Sequence, residues 1–346
     1  MERIELIDSL KGYAVILVLL GHVIVFSNPT QFSQSWLFVF IYSFHMPLFL
    51  FLSGYLVFQK SIDSKINFVY KKFKGLILPY FVWIFISISI ANNFVFDNRI
   101  SDFLIEHVVV YDNIWFLPVL FISFMILLIY ITSENFLKNY QLGFFTILLF
   151  LSFYIISWMF NPPVQGLLIV RWFSPFVLLG YITAEYKESI FEKSYIFPLS
   201  AVLFAILLPS WSKYVITFAR VNDINLIIDF ILAITGIVLS YCLIKSLRLT
   251  FIDKFLKFCG VISLEIYLVS NFFALILIQI AHVQFWIGNG LLAYLTGTIV
   301  FLSISIAFSI LLSYNRYISV LLFGRWSSKN INFNLIFQSL IKRRDW

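Results

Sequence analysis

Apolar runs of membrane-crossing length alternate with short polar or basic stretches from one end of the chain to the other. About 20 apolar residues suffice for a helix to cross a bilayer, and such lengths favour helices over strands. The pattern predicts ten spans, at roughly 10–28, 36–58, 75–95, 114–132, 142–160, 167–186, 194–210, 224–244, 258–281 and 291–314. Beyond the last span, Phe333, Ile336, Phe337, Leu340 and Ile341 recur at helical spacing ahead of Lys342, Arg343 and Arg344. That reads as an amphipathic helix lying on a membrane surface. The expected architecture is an all-α polytopic membrane protein, with a membrane domain over 1–314 and a basic amphipathic tail over 315–346.

Composition agrees. The 346 residues are 61% hydrophobic and only 12% charged, more apolar surface than a soluble domain of this size can hide. Small residues of a secretory cleavage site do not follow the first run, and further spans do, so it reads as a membrane anchor. The net charge of +7 is informative through its placement. With the N-terminus inside, twenty of the 24 Lys and Arg fall on the cytoplasmic side, the bias that sets orientation. Both termini are then expected in the cytoplasm. Cationic loops on an inner leaflet account for the charge, so no nucleic-acid partner is called for. Cys242 and Cys259 suggest neither a metal site nor a disulfide framework.

The few ionisable groups inside the runs are the candidates for chemistry, because burying them in hydrocarbon is costly. Lys11 and His22 lie eleven residues apart in the first run. On a helix they share a face, within ~20° of each other and roughly 16 Å apart along the axis. With Lys11 at one boundary, His22 reaches mid-depth. His45 precedes Met46 and Pro47 in the second run, and an antiparallel pairing of the two runs puts both imidazoles level. The plainer readings are that Lys11 snorkels as an anchor and that a histidine bonds a neighbouring helix. Ser53 and Gly54 offer a small-residue contact to another helix.

Lys60, Lys65, Lys71, Lys72 and Lys74 form a basic cytoplasmic loop. It either sets topology against anionic lipid or attracts a phosphorylated substrate. Trp115 is expected at the outer interface, as an aromatic belt residue or a sugar platform. Arg171 lies near the outer end of span six; with Asp229 and Glu265 it is expected to face one interior. Asp8, Tyr267 and Asn271 complete the polar candidates. The predicted loops hold no phosphate-binding glycine loop, metal-ligand spacing or appended soluble domain.

The stretch IDSLKGYAVILVLLGH around Lys11 and His22, with FHMPLFLFLSGYLV, KKFKGLILPYFVW, NIWFLPVLF and SLEIYLVSN, resembles the acyltransferase-3 family of integral-membrane acyltransferases. The likeness is strongest to the branch that includes sugar O-acetyltransferases of surface polysaccharides such as O-antigen. Lysine stands at position 11 where arginine is commoner, and Asn271 where many relatives carry histidine. The resemblance implies transfer of an acyl group, usually acetyl, from acetyl-CoA to a hydroxyl of a glycan or lipid-linked sugar in the inner membrane, with no metal. It implies His22 as catalytic base with His45 beside it, and Lys11, Lys71 and Lys72 towards the phosphates of coenzyme A. Asp8, Trp115, Arg171, Glu265, Tyr267 and Asn271 are left as substrate-binding or structural polar groups. The competing class is a transporter or flippase. It too uses many spans, but commonly with inverted repeats that this chain does not display.

Overall fold

The computed structural model describes residues 2–27, 31–60, 62, 64–91, 114–137, 165–185, 193, 195–211, 223–247, 250–281 and 290–324. Regular structure among them is helical. In order the elements are α1 (Glu2–Ser27), α2 (Trp36–Tyr42), α3 (His45–Lys60), α4 (Lys65–Lys72), α5 (Leu78–Ala91), α6 (Phe116–Leu137) and α7 (Gln165–Glu185). Then follow α8 (Ile196–Leu207), α9 (Asp223–Ser246), α10 (Phe251–Val261), α11 (Ser263–Ala281), α12 (Leu291–Tyr314) and α13 (Arg316–Phe323). Four stretches among the described residues are long and apolar enough to cross a membrane: Glu5–Ser27, Trp36–Phe58, Ile227–Ser246 and Leu291–Tyr314. The bent pair α10–α11 supplies a fifth if taken as one span. The chain is a multi-pass helical membrane protein. The expected span at 142–160, the loop 96–113 and the amphipathic helix at 333–344 lie outside the described residues.

Two of the expected spans are broken, each for a local reason. The second run splits between Tyr42 and His45. Pro47 has no N–H to give the carbonyl of Ser43, four residues earlier, and its ring crowds that carbonyl. The helix therefore restarts at His45, with Phe44 accepting the Leu48 N–H at 2.8 Å. The ninth run, expected to be continuous over 258–281, instead bends by 74° at Ile262. Its first part belongs to α10, which crosses α1 backbone to backbone. A Cβ on Gly12 would overlap the Leu256 carbonyl, and one on Gly260 would overlap that of Asp8. This contact holds α10 at an angle that α11 does not share.

A second glycine pair makes the other close crossing. Side chains at Gly54 of α3 or Gly180 of α7 would overlap the backbone of Val177 or Phe51 respectively. The small-residue contact expected at Ser53–Gly54 thus has Gly180 as its partner. Such approaches maximise dispersion contact where no hydrophobic drive separates helix from lipid. One large cluster, running through Val15, Val18, Leu50, Phe176 and Ile266, joins α1, α3, α7 and α11. A smaller one joins Leu17, Leu20 and Ile24 of α1 to Phe38, Phe44, Phe204 and Leu232.

Candidate functional site

Val15 and Val18 lie between Lys11 and His22 on the shared face of α1, and both are buried, at 0% and 2% exposure. That face therefore looks into the bundle and not into lipid. Gly21 lets the ring of Tyr42 pack directly on α1, and the Tyr42 ring sits 4.7 Å from that of His45. His45 is 3% exposed, and Tyr42 packs both on its ring and on the α1 backbone one residue before His22.

The two rings are held differently. His45 Nδ1 lies 2.8 Å from the Ile41 carbonyl oxygen. A carbonyl only accepts, so Nδ1 carries the hydrogen and Nε2 keeps its lone pair. His22 Nδ1 is buried with no hydrogen-bond partner among the described residues. A buried polar atom left without a partner is costly and calls for an explanation, and a ligand hydroxyl would supply one.

One turn along α3 from His45, Phe49 meets Phe116 at 5.8 Å, and Phe116 meets Tyr267 at 5.7 Å. Trp115 stacks on Phe173 at 5.0 Å. Neighbouring Ile114 and Phe116 are buried, so the segment entering α6 lies inside the bundle. The aromatic layer gives half-buried Trp115 a partner ring. Asn271 is buried and donates from Nδ2 to the Tyr267 carbonyl at 2.9 Å.

Beside this layer α3, α4, the turn that follows α4 and α6 line an open cavity of about 670 Å³. Ser53, Asn67, Lys71, Lys72, Gly75 and Phe124 are among its lining residues. Ser53 lies just over two turns from His45 along α3, roughly 12 Å along the axis and about 80° around it. Lys72 Nζ rests 3.7 Å from the Phe124 ring centre, a cation–π contact that holds the ammonium against the wall. The floor is the π-helical turn Phe73–Ile77. Pro79, lacking an N–H, cannot close the α-helical bond to Gly75, so the helix widens there and opens the wall.

Lys11 does not line this cavity; its Nζ is 3.1 Å from Asp8 Oδ1. Arg171 is half-buried, beside Trp172, which meets Phe230 of α9 at 6.4 Å. The latter adjoins the buried Asp229. Glu265 is buried at 1% exposure, but projects from α11 about 160° away from Tyr267 by helix geometry. The residues that sequence reasoning missed sit at the end of α1. Ser9 donates to buried Asp253 at 2.6 Å, and Lys257 reaches Asp253 and Glu5 at 2.9 Å each.

The described residues thus offer half-buried His22, buried His45 and a cavity lined by Lys71 and Lys72. The chain belongs to the acyltransferase family: the family model described as Acyltransferase domain matches residues 4–314. Its curated relatives include a protein named nodulation protein NolL from Mesorhizobium japonicum, 27% identical over 187 residues, covering 51% of this chain and 47% of that protein. Another, of the same name from Sinorhizobium fredii, is 48% identical over 52 residues, 14% of each chain. The chain therefore spans at most about half the length of these relatives. No solved structure matches.

Proposed function

We propose that the protein is an O-acyltransferase of the inner membrane, moving an acetyl group from acetyl-CoA to a hydroxyl of a surface glycan or lipid-linked sugar. Family membership supports the reaction class, and the basic cavity of about 670 Å³ below the histidine pair is the observation that carries the rest. In this reading the bundle has ten spans and both termini are cytoplasmic, so the cavity opens towards the compartment that holds coenzyme A. Lys71 and Lys72 neutralise its phosphates. The pantetheine arm runs along the Ser53–Phe49 face of α3 towards the imidazoles. Lys11, already paired with Asp8, acts at the mouth of the same face.

The acceptor hydroxyl approaches His22 from the opposite side, past Trp115. As its oxygen attacks the thioester carbonyl, His22 takes the hydroxyl proton. The carbon–sulfur bond then breaks, the thiolate leaves and recovers that proton from the imidazolium, and the ester remains on the sugar. His45, its tautomer set by the Ile41 carbonyl, keeps Nε2 available to hold the acceptor or the His22 ring.

The test uses the full-length protein in detergent micelles with acetyl-CoA and deacetylated glycan from its host. Acceptor-dependent release of free thiol, with new O-acetyl signals in the glycan NMR spectrum, is expected. Absence of both, together with unchanged glycan acetylation in cells lacking the protein, overturns the proposal in favour of a carrier.

A further inference from the structure

The helix after the last span packs onto the back of the basic cavity. Leu322 and Phe323 of α13 are buried, Phe323 at 0% exposure. The indole N–H of Trp83, on α5, donates to the Leu322 carbonyl at 2.8 Å, and the Trp83 ring also meets Phe272 of α11 at 5.2 Å. Gly324 then ends α13 in the left-handed conformation, φ +64°, its N–H donated to the Val320 carbonyl at 3.0 Å. That conformation suits glycine, but here a contact needs it as well. A Cβ on Gly324 would overlap the Lys74 carbonyl and crowd the Cα of Gly75. Lys74 and Gly75 belong to the π turn, and Gly75, Leu76, Lys71 and Lys72 line the cavity.

A π turn is a less favourable, wider winding that persists where its surroundings impose it. Pro79 explains why the α-helical bonding fails at this point, but not what holds the widened backbone in one position. Phe121 of α6 meets the Phe73 ring at 6.2 Å, and Gly324 adds a close backbone contact at Lys74–Gly75. We propose that α13 is a positioning element of the basic cavity. Gly324, seated on the π turn, and Trp83, gripping the end of α13, fix the floor so that Lys71 and Lys72 present their ammonium groups together to an anionic ligand. Gly324 and Trp83 are positioning residues and touch no substrate. The proposal rests on the reading of this cavity as the donor site.

Coenzyme A is the probe, titrated into the full-length protein in nanodiscs. Asparagine tolerates the left-handed conformation yet still places a Cβ against Lys74, so Gly324→Asn separates the contact from backbone strain. Gly324→Asn is expected to weaken binding 5- to 10-fold, and Trp83→Phe, which keeps the ring but loses the N–H, 2- to 5-fold. Faster amide exchange over 73–77 is expected in both. Lys71→Gln should weaken binding too. The Gly324→Asn/Lys71→Gln double variant should fall short of the combined single effects, since both act through one contact. Unchanged affinity in Gly324→Asn, while Lys71→Gln binds more weakly, overturns the positioning role; so do independent, additive effects. Coenzyme A binding that ignores Lys71→Gln, or is absent from the unaltered protein, overturns the donor reading and the positioning of a donor site with it.

Discussion

Asp253→Asn is the smallest change that reports on how α1 is held. Asp253 is 1% exposed; one carboxylate oxygen accepts the Ser9 hydroxyl at 2.6 Å and the other accepts Lys257 at 2.9 Å. Asparagine keeps the shape and the acceptor for Ser9, but turns an N–H2 group towards the Lys257 ammonium. A hydrogen bond to a charged group is worth about 1.5–3 kcal/mol. Lys257 is 27% exposed and retains Glu5, so water and that carboxylate return part of the loss. The net cost is about 1–2 kcal/mol. Ser9→Ala leaves Asp253 short of one buried donor, a loss of similar size. The melting temperature should fall by roughly 2–4 °C for Asp253→Asn, near the lower end of the per-kcal shifts of mid-sized chains because this one is longer. Unfolding of a membrane protein is commonly irreversible, so the variants are compared at one heating rate by tryptophan fluorescence in one detergent. Because the Ser9 hydroxyl bonds a charged acceptor in the unaltered protein and a neutral, weaker one after Asp253→Asn, the double variant should cost less than the sum of the singles. A melting curve for Asp253→Asn that overlays the unaltered protein, or strict additivity with Ser9→Ala, would refute the role of this tie.

Two further outcomes bear on the site and the packing. His22→Gln should lower acceptor-dependent thiol release by about 10²–10⁴, the usual contribution of a general base, while the protein still elutes as a folded species. A loss of less than tenfold removes His22 from that role. Gly180→Val should abolish the folded species on size-exclusion chromatography, since its side chain meets the Phe51 backbone, which cannot withdraw as a flexible side chain does. Gly75→Ala, with nothing within 4 Å of the added Cβ, should fold normally; equal losses in the two would refute the close-crossing account.

What was legible in the sequence follows from what the bilayer forces on it. Hydrocarbon demands long apolar runs and penalises charge, so the helices and His22, His45, Asp229 and Glu265 stand out as exceptions within them. Asp253 does not stand out. It follows a basic stretch and opens an amphipathic helix, and its value comes from Ser9, 244 residues away. The glycines of the two close crossings are likewise unremarkable singly; Gly12 acquires meaning only opposite Gly260. The stacking of Trp115 on Phe173 was not legible either, because an aromatic at a run boundary looks the same whether it faces headgroups or a partner ring. The lysines of the basic loop were visible as charge, but the cavity that Lys71 and Lys72 line lies against a π turn that the run of apolar residues does not announce.

The two ends of α1 carry one argument between them. At the first, Glu5, Ser9 and Gly12 fasten the helix to α10 by a charge network and a backbone crossing. Further along, Gly21 fastens it to Tyr42, which touches His45. A helix pinned at both places has little freedom to slide or rotate between them. The shared face of Lys11 and His22 therefore keeps its orientation towards α3 and α11 without any bond from either residue having to hold it there. That leaves Lys11 to Asp8 and, under the proposed function, leaves the buried Nδ1 of His22 for the acceptor hydroxyl. A side chain that supports its own helix has its hydrogen-bonding capacity spent, as His45 Nδ1 does on Ile41. His22 is supported by its neighbours instead, which is the condition a proton-accepting group in a dry interior requires.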